Sequence, residues 1–323
     1  MPELRYIDNG DGWKLELRRY VDKSRLDPSR RPVLMVPGYA MNSFILGFHP
    51  GGLGIADHLA AAGLEVWTVN MRGQGGARAD GKPARYGLAE LTLVDLPAAI
   101  DAVLGATHTD HQRLDLIGCS LGGSVVFAYL AHHSDDHPVG AVVSMGGPLR
   151  WDEVHPLIKV AFRSGRVAGA VPVKKTRSLA RRVLPPVAKR MPSLLSIYMN
   201  TAQVDLTAAD QLVNTVDDPV PWINRQMARW IRDRDLVVRG VNVSEALPSV
   251  RVPVLTVVAN NDGIVPAPTA LSVRDVLGED QVDVLHVGDD ERWYAHADLF
   301  IGERAHDEVF APIDAWLANA GSA

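Results

Sequence analysis

The chain has 323 residues, 47% hydrophobic and 22% charged, a balance that builds a folded core and excludes a disordered or fibrous protein. Its formal charge of -5, from 33 Lys and Arg against 38 Asp and Glu, lacks the cationic excess of a dedicated nucleic-acid binder. Cys119 is the single cysteine, so no intrachain disulfide can form and no oxidising compartment is required.

The opening residues, MPELRYIDNGDGWKLELRRY, hold no apolar stretch of signal-peptide kind. Nowhere does an apolar run approach the ~20 residues needed to cross a bilayer. Cytoplasmic residence is the plain expectation. A turn at Asn9-Gly10-Asp11-Gly12 leads into a strand over 14–21. Pro32 precedes VLMVPG, a short buried strand running into a glycine turn. Residues 53–62 predict a helix ended by Gly63, and 64–70 a strand. A helical stretch over 89–105 carries Leu91, Val94, Ile100 and Val103, with Pro97 set to kink or divide it. A strand at 113–118, a helix at 121–133 and a strand at 140–147 follow. Strand and helix alternate, and several strands are apolar on both faces, which is the pattern of a parallel sheet covered by helices.

That rhythm stops after Pro148. Residues 149–248 show helical fragments separated by Pro156, Pro172, Pro185, Pro186, Pro192, Pro219 and Pro221, so several short helices are expected. Within 151–200 there are ten Lys or Arg and only two acids, Asp152 and Glu153, a local balance of +8. The alternation resumes with a strand at 252–260, a helix at 267–277, a strand at 281–288 and a last helix at 302–319. One sheet interrupted by an insertion fits this order better than two domains in series.

Gly118-Cys119-Ser120-Leu121-Gly122 fits G-x-S-x-G and lies between a predicted strand and a predicted helix. A turn this tight lifts the Ser120 hydroxyl above the sheet edge, and its glycines remove side chains that would collide there. The helix that starts at Leu121 aims free N–H groups at developing negative charge. Cys119 is a nucleophile by chemistry alone, but a side chain beside the apex of the turn points away into the core.

The segments PVLMVPGYAMNSF (32–44), LEVWTVNMRGQG (64–75), DLIGCSLGG (115–123), VLTVVANNDGIVP (254–266) and HADLF (296–300) resemble α/β-hydrolases over nearly the whole chain. The resemblance implies an α/β-hydrolase fold: a mostly parallel central sheet flanked by helices. Residues 1–148 and 249–323 would form the core, and 149–248 a helical lid. Residues 35–75 and 294–317 are also similar to acid-lipase proteins and polyhydroxyalkanoate synthases. Those synthases carry cysteine at the elbow, so Ser120 places hydrolysis ahead of polymerisation.

The resemblance further implies the chain order nucleophile, acid, base. Ser120 is then the nucleophile, Asp262 the acid and His296 the base. Asp289 and Asp298 are alternative acids away from the expected strand end, while His286 sits within a strand and His306 in the last helical region. The backbone N–H of Leu121 and that of Tyr39 would hold the oxyanion, with Ala40 the alternative to Tyr39. Many relatives have histidine before Gly38, where this chain has Pro37. Tyr39, Ala40, Trp151, Tyr198 and Trp222 are candidates for the substrate wall.

Together these residues point to a serine carboxylic-ester hydrolase working through a covalent acyl-enzyme, with no metal or organic cofactor. Its substrate would be a small-molecule ester, lipidic or anionic, and the basic lid would suit such a substrate or transient contact with a membrane surface. A thioesterase, amidase, acyltransferase or polyester-active enzyme would use the same three residues, and a non-catalytic binding scaffold is the third class. Residues 70–75 are glycine-rich without a dinucleotide fingerprint, which speaks against phosphate cradling; the resemblance implies that Arg72 anchors a loop, and Asp95 reads as structural too. His132, His133 and His137, with Asp135 and Asp136, read as a solvated loop rather than a metal site.

Overall fold

The computed structural model describes residues 2–134, 136–164 and 175–320. Eight main strands form one sheet: β1 (Glu3–Asp8), β2 (Trp13–Tyr20), β3 (Val33–Val36), β4 (Val66–Asn70), β5 (Leu114–Cys119), β6 (Val139–Met145), β7 (Val254–Ala259) and β8 (Val282–Val287). Their spatial order is β1-β2-β4-β3-β5-β6-β7-β8, with a two-residue strand, Arg78–Ala79, added beside β2. β2 runs antiparallel to β1 and β4; every pairing from β4 to β8 is parallel. The C-terminal ends of β3, β5, β6 and β7 therefore open on one sheet edge.

The sequence explains the layering. All residues of β3, β5, β6 and β7 are buried, as expected for strands covered on both faces. Alternation divides them between two cores. Leu34 and Val36 of β3 join one, with Leu116 of β5; Val33 and Met35 join the other, with Ile117 and Cys119. Helices α1 (Ile55–Ala61), α2 (Leu96–Leu104), α3 (Leu121–His133), α4 (Thr176–Arg190), α5 (Pro221–Asp233), α6 (Ala267–Leu277) and α7 (Ala311–Ala320) are the main helical elements. α3 is buried along its length from Leu121 to Ala131, because its position behind the elbow leaves it no solvent face. β8, at the sheet edge, leaves Asp283 and His286 exposed.

The stretch around Pro97 is distorted and not divided by its proline. Pro97 sits within one helical run from Leu88 to Leu104, directly after a widened turn at Leu91–Asp95 that accommodates its missing amide and its ring. Pro185 and Pro186 behave differently from expectation: α4 continues through both. Arg181 and Arg182, whose carbonyls lose their amide partners, are exposed, so water can take those acceptors. Pro172 lies outside the described residues, as do Arg166 and Lys174 of the basic stretch.

Residues 149–248 also contain a small hairpin, Val237–Val238 with Val241–Asn242, that the sequence did not suggest. They are stitched to the sheet edge by backbone bonds. Met41 bridges Val216, and Asn42 N donates to Thr215 O at 3.0 Å. Gly263 N donates to Ile197 O at 3.1 Å, and Ala297 N to Tyr198 O at 2.8 Å. No helix among the described residues is long and apolar enough to cross a membrane.

Arg72 lies buried in the loop after β4. Its guanidinium makes a forked ion pair with the equally buried Asp95 at 2.7–3.0 Å, and Asn9 donates to the same carboxylate at 2.6 Å. Both residues tie the β4 loop to the helical stretch behind it, which agrees with a structural role. His132 bonds the Val238 carbonyl at 3.0 Å and His133 the Tyr129 carbonyl at 2.8 Å. Asp135 lies outside the described residues.

Candidate active site

The turn between β5 and α3 places Ser120 at φ 52° and ψ −123°, a conformation that non-glycine residues adopt only under constraint from their surroundings. The constraint is packing beneath the turn. A side chain on Gly122 would run into the Val36 carbonyl, so only glycine lets α3 approach β3 this closely. Ser120 N is anchored to Met145 O at 2.8 Å, which ties the elbow to the end of β6. Cys119 points into the core and is fully buried, and that burial pushes its thiol far up, away from the thiolate a nucleophile needs.

Asp262 stands in the loop after β7. One carboxylate oxygen accepts from the backbone N–H of Ile264 and of Val265, both at 2.8 Å. The other lies 2.6 Å from His296 Nδ1. Both side chains are nearly withdrawn from water, each residue being 6% exposed. The carboxylate thus has its orientation set by two amides before it sets the imidazole. With Nδ1 held by Asp262, Nε2 is the ring nitrogen left for proton exchange.

The alternative acids serve elsewhere. Asp298 is fully buried and accepts from Ala295 N at 2.7 Å and from Asn200 N at 2.8 Å. Burial, aided by the nearby Asp262 charge, pushes its carboxyl up to about 6. Asp289 caps the exposed turn at Glu291 and Arg292. His286 is exposed on the edge strand, and His306 bonds the Leu53 carbonyl at 2.8 Å.

Ser120 and His296 both line a cavity of about 340 Å³. Tyr39, Ala40 and Leu121 form its floor beside Ser120; Trp151, Tyr198, Met227 and Trp230 supply much of the rest. The Tyr198 ring centre lies 6.4 Å from that of His296, and burial pushes its hydroxyl up to about 12. Tyr39 is likewise pushed up by burial alone. Among the described residues, neither Tyr39 N nor Leu121 N has a hydrogen-bond acceptor, so both amides remain available at this floor. Trp222 stands apart from the cavity. Its ring takes up the guanidinium of Arg85 at 4.9 Å and that of Arg225 at 5.9 Å, so it is no part of the wall.

Sequence reasoning missed Met41, Thr215 and Val216 on the cavity wall. They arrive as a pair of bridged loops far apart in sequence, which no local pattern announces. Ile264 and Val265 were also missed; their place beside Asp262 in the chain was the available signal.

Residues 31–277 match the alpha/beta hydrolase fold family. The chain belongs to that family and is a hydrolase. It is 27% identical over 235 residues to a monoacylglycerol lipase of Mycolicibacterium smegmatis, covering 70% of each chain. In three dimensions it is similar to a thermophilic esterase from Thermogutta terrifontis, with TM-score 0.65, 17% identity and 99% of each chain covered. It is also similar to an esterase from a Rhodococcus species, with TM-score 0.63 and 17% identity, covering 98% of this chain and 99% of the other.

Proposed function

We propose that the chain is a serine carboxylic-ester hydrolase of esterase or lipase-like type, working through a covalent acyl-enzyme. The observation that carries this reading is the 2.6 Å bond between His296 and Asp262 on the wall of an apolar cavity that Ser120 also lines. Residues 149–248 act as the lid that shapes this cavity, through Trp151, Tyr198, Met227 and Trp230.

The acyl chain of the ester lies among the apolar side chains. His296 Nε2 takes the Ser120 proton as Oγ bonds to the carbonyl carbon. The carbonyl oxygen becomes an oxyanion and accepts from the Leu121 and Tyr39 amides. His296, now positive, is steadied by Asp262 and returns the proton to the departing alcohol as the C–O bond breaks. A water molecule then loses its proton to the same imidazole, attacks the acyl carbon and releases the acid and free Ser120.

Graded p-nitrophenyl esters test this directly. The Ser120→Ala variant is expected to lose turnover by about 10⁶-fold, and a fluorophosphonate probe is expected to label the native chain on Ser120 only. Undiminished turnover by that variant, or labelling elsewhere, would sink the reading.

A further inference from the structure

Ten large hydrophobic side chains stand exposed among the described residues, and six of them fall between residues 157 and 194. On α4, Leu179 and Val183 lie four residues apart on one face, 56% and 45% exposed. The same helix is anchored by a polar residue: Arg177 donates to the Val216 carbonyl at 3.0 Å and to Asp217 at 2.9 Å. A helix of a soluble protein normally buries its apolar stripe and exposes its cations; here an arginine anchors the helix and leucine and valine meet water. Met191 and Leu194, just beyond α4, extend the exposed apolar surface.

The short helix Pro156–Ala161 carries a second exposed apolar pair, beside the cavity. Leu157 and Val160 project outward, 58% and 71% exposed. Ile158, on the same helix, and Phe162, directly after it, line the cavity that holds Ser120. One helical turn thus carries apolar side chains facing both the exterior and the proposed substrate site.

Charge identifies what would cover such a surface. Lys159, Arg181, Arg182 and Arg190 are exposed among the apolar residues, in a stretch with ten basic and two acidic residues. Apolar side chains interspersed with cations match a surface whose headgroups are negative and whose layer beneath is hydrocarbon. We infer that the exposed α4 surface, Leu179 and Val183 with the cations Arg181, Arg182 and Arg190, docks on an anionic phospholipid bilayer, with Leu179 and Val183 entering the headgroup layer. The inference rests on the proposed ester hydrolysis for what then passes to the cavity, and its test reads binding alone.

The test sediments the Ser120→Ala protein, which leaves vesicle lipids intact, with vesicles of phosphatidylcholine or of phosphatidylcholine mixed with phosphatidylglycerol. Binding to the mixed vesicles is expected to be at least about tenfold tighter and to weaken with salt. Arg181→Glu with Arg182→Glu should lower it by about tenfold or more, and Leu179→Asp with Val183→Asp should lower it similarly. In the active enzyme both double variants should keep the native melting temperature and turnover of a water-soluble short-chain ester, showing an intact fold. Equal binding to both vesicle types, or undiminished binding by either double variant, overturns the docking surface. Tight binding by Ser120→Ala upholds it even where ester turnover fails.

Discussion

Ala297 donates its backbone N–H to the carbonyl of Tyr198 at 2.8 Å. The bond joins residues 149–248 to the sheet edge one residue from His296. Two residues on, Asn200 N bonds the buried Asp298, which also holds Ala295 N on the other side of His296. The backbone on both flanks of the imidazole is therefore held, by Tyr198 directly at Ala297 and by Asp298, itself bonded to Asn200, at Ala295.

Asp262→Asn keeps the shape of the acid but removes its charge and allows the wrong hydrogen-bond pattern at His296 Nδ1. On the proposed mechanism, turnover of a soluble ester should fall by about 10⁴-fold with little change in KM. Steady-state kinetics decide this, and a variant within tenfold of the native rate would remove Asp262 from the mechanism.

Gly146 follows β6 at φ +55°, a backbone conformation that suits glycine. A Cβ there would sit 3.1 Å from His296 Cε1 and 3.2 Å from Nδ1. Gly146→Ala should displace the imidazole and cost about 10²-fold in turnover, while destabilising the fold by about 1–3 kcal/mol through backbone strain. The same assay with thermal melting separates these effects; unchanged turnover would show that the ring has room to move.

Arg72→Ala leaves the buried Asp95 carboxylate without its forked partner. Breaking a buried pair in this way costs about 3–5 kcal/mol. Since neither residue lines the cavity, the variant should melt at a lower temperature yet keep its turnover well below that temperature. Urea denaturation provides the stability measurement, and a midpoint equal to the native one contradicts the anchor.

His49, His58 and His306 gather beside Phe310, with ring centres 4.3 Å apart for His49 and His306 and 5.8 Å for His58 and His306. Burial first, and His306 in addition, push His49 and His58 below the usual 6.5. Asp314 and Asp307 pull His58 weakly the other way. The folded state therefore binds fewer protons than the unfolded one. Their contribution to stability is full above pH 6.5 and is lost as pH falls through the lowered folded values. Melting temperature should drop between about pH 7 and pH 5, and His58→Gln should make the drop shallower; a parallel curve for the variant would clear His58.

The amino-acid order determined the strands and the elbow because both are local events. Mostly apolar segments such as VLMV and VLTVVA are stable where both faces are covered, and a serine between glycines after such a strand has one compact way to turn into a helix. The order of Ser120, Asp262 and His296 was legible through family resemblance. What the tertiary structure alone decided was which residues cross the gap between segments: Met41 against Val216, Gly263 against Ile197, and Ala297 against Tyr198. It removed Trp222 from the cavity wall, because its ring is taken by Arg85 and Arg225. Contacts of this kind carry no periodic signature, since backbone amides and carbonyls bond alike whatever side chains they bear, and only the folded path of the chain selects their partners.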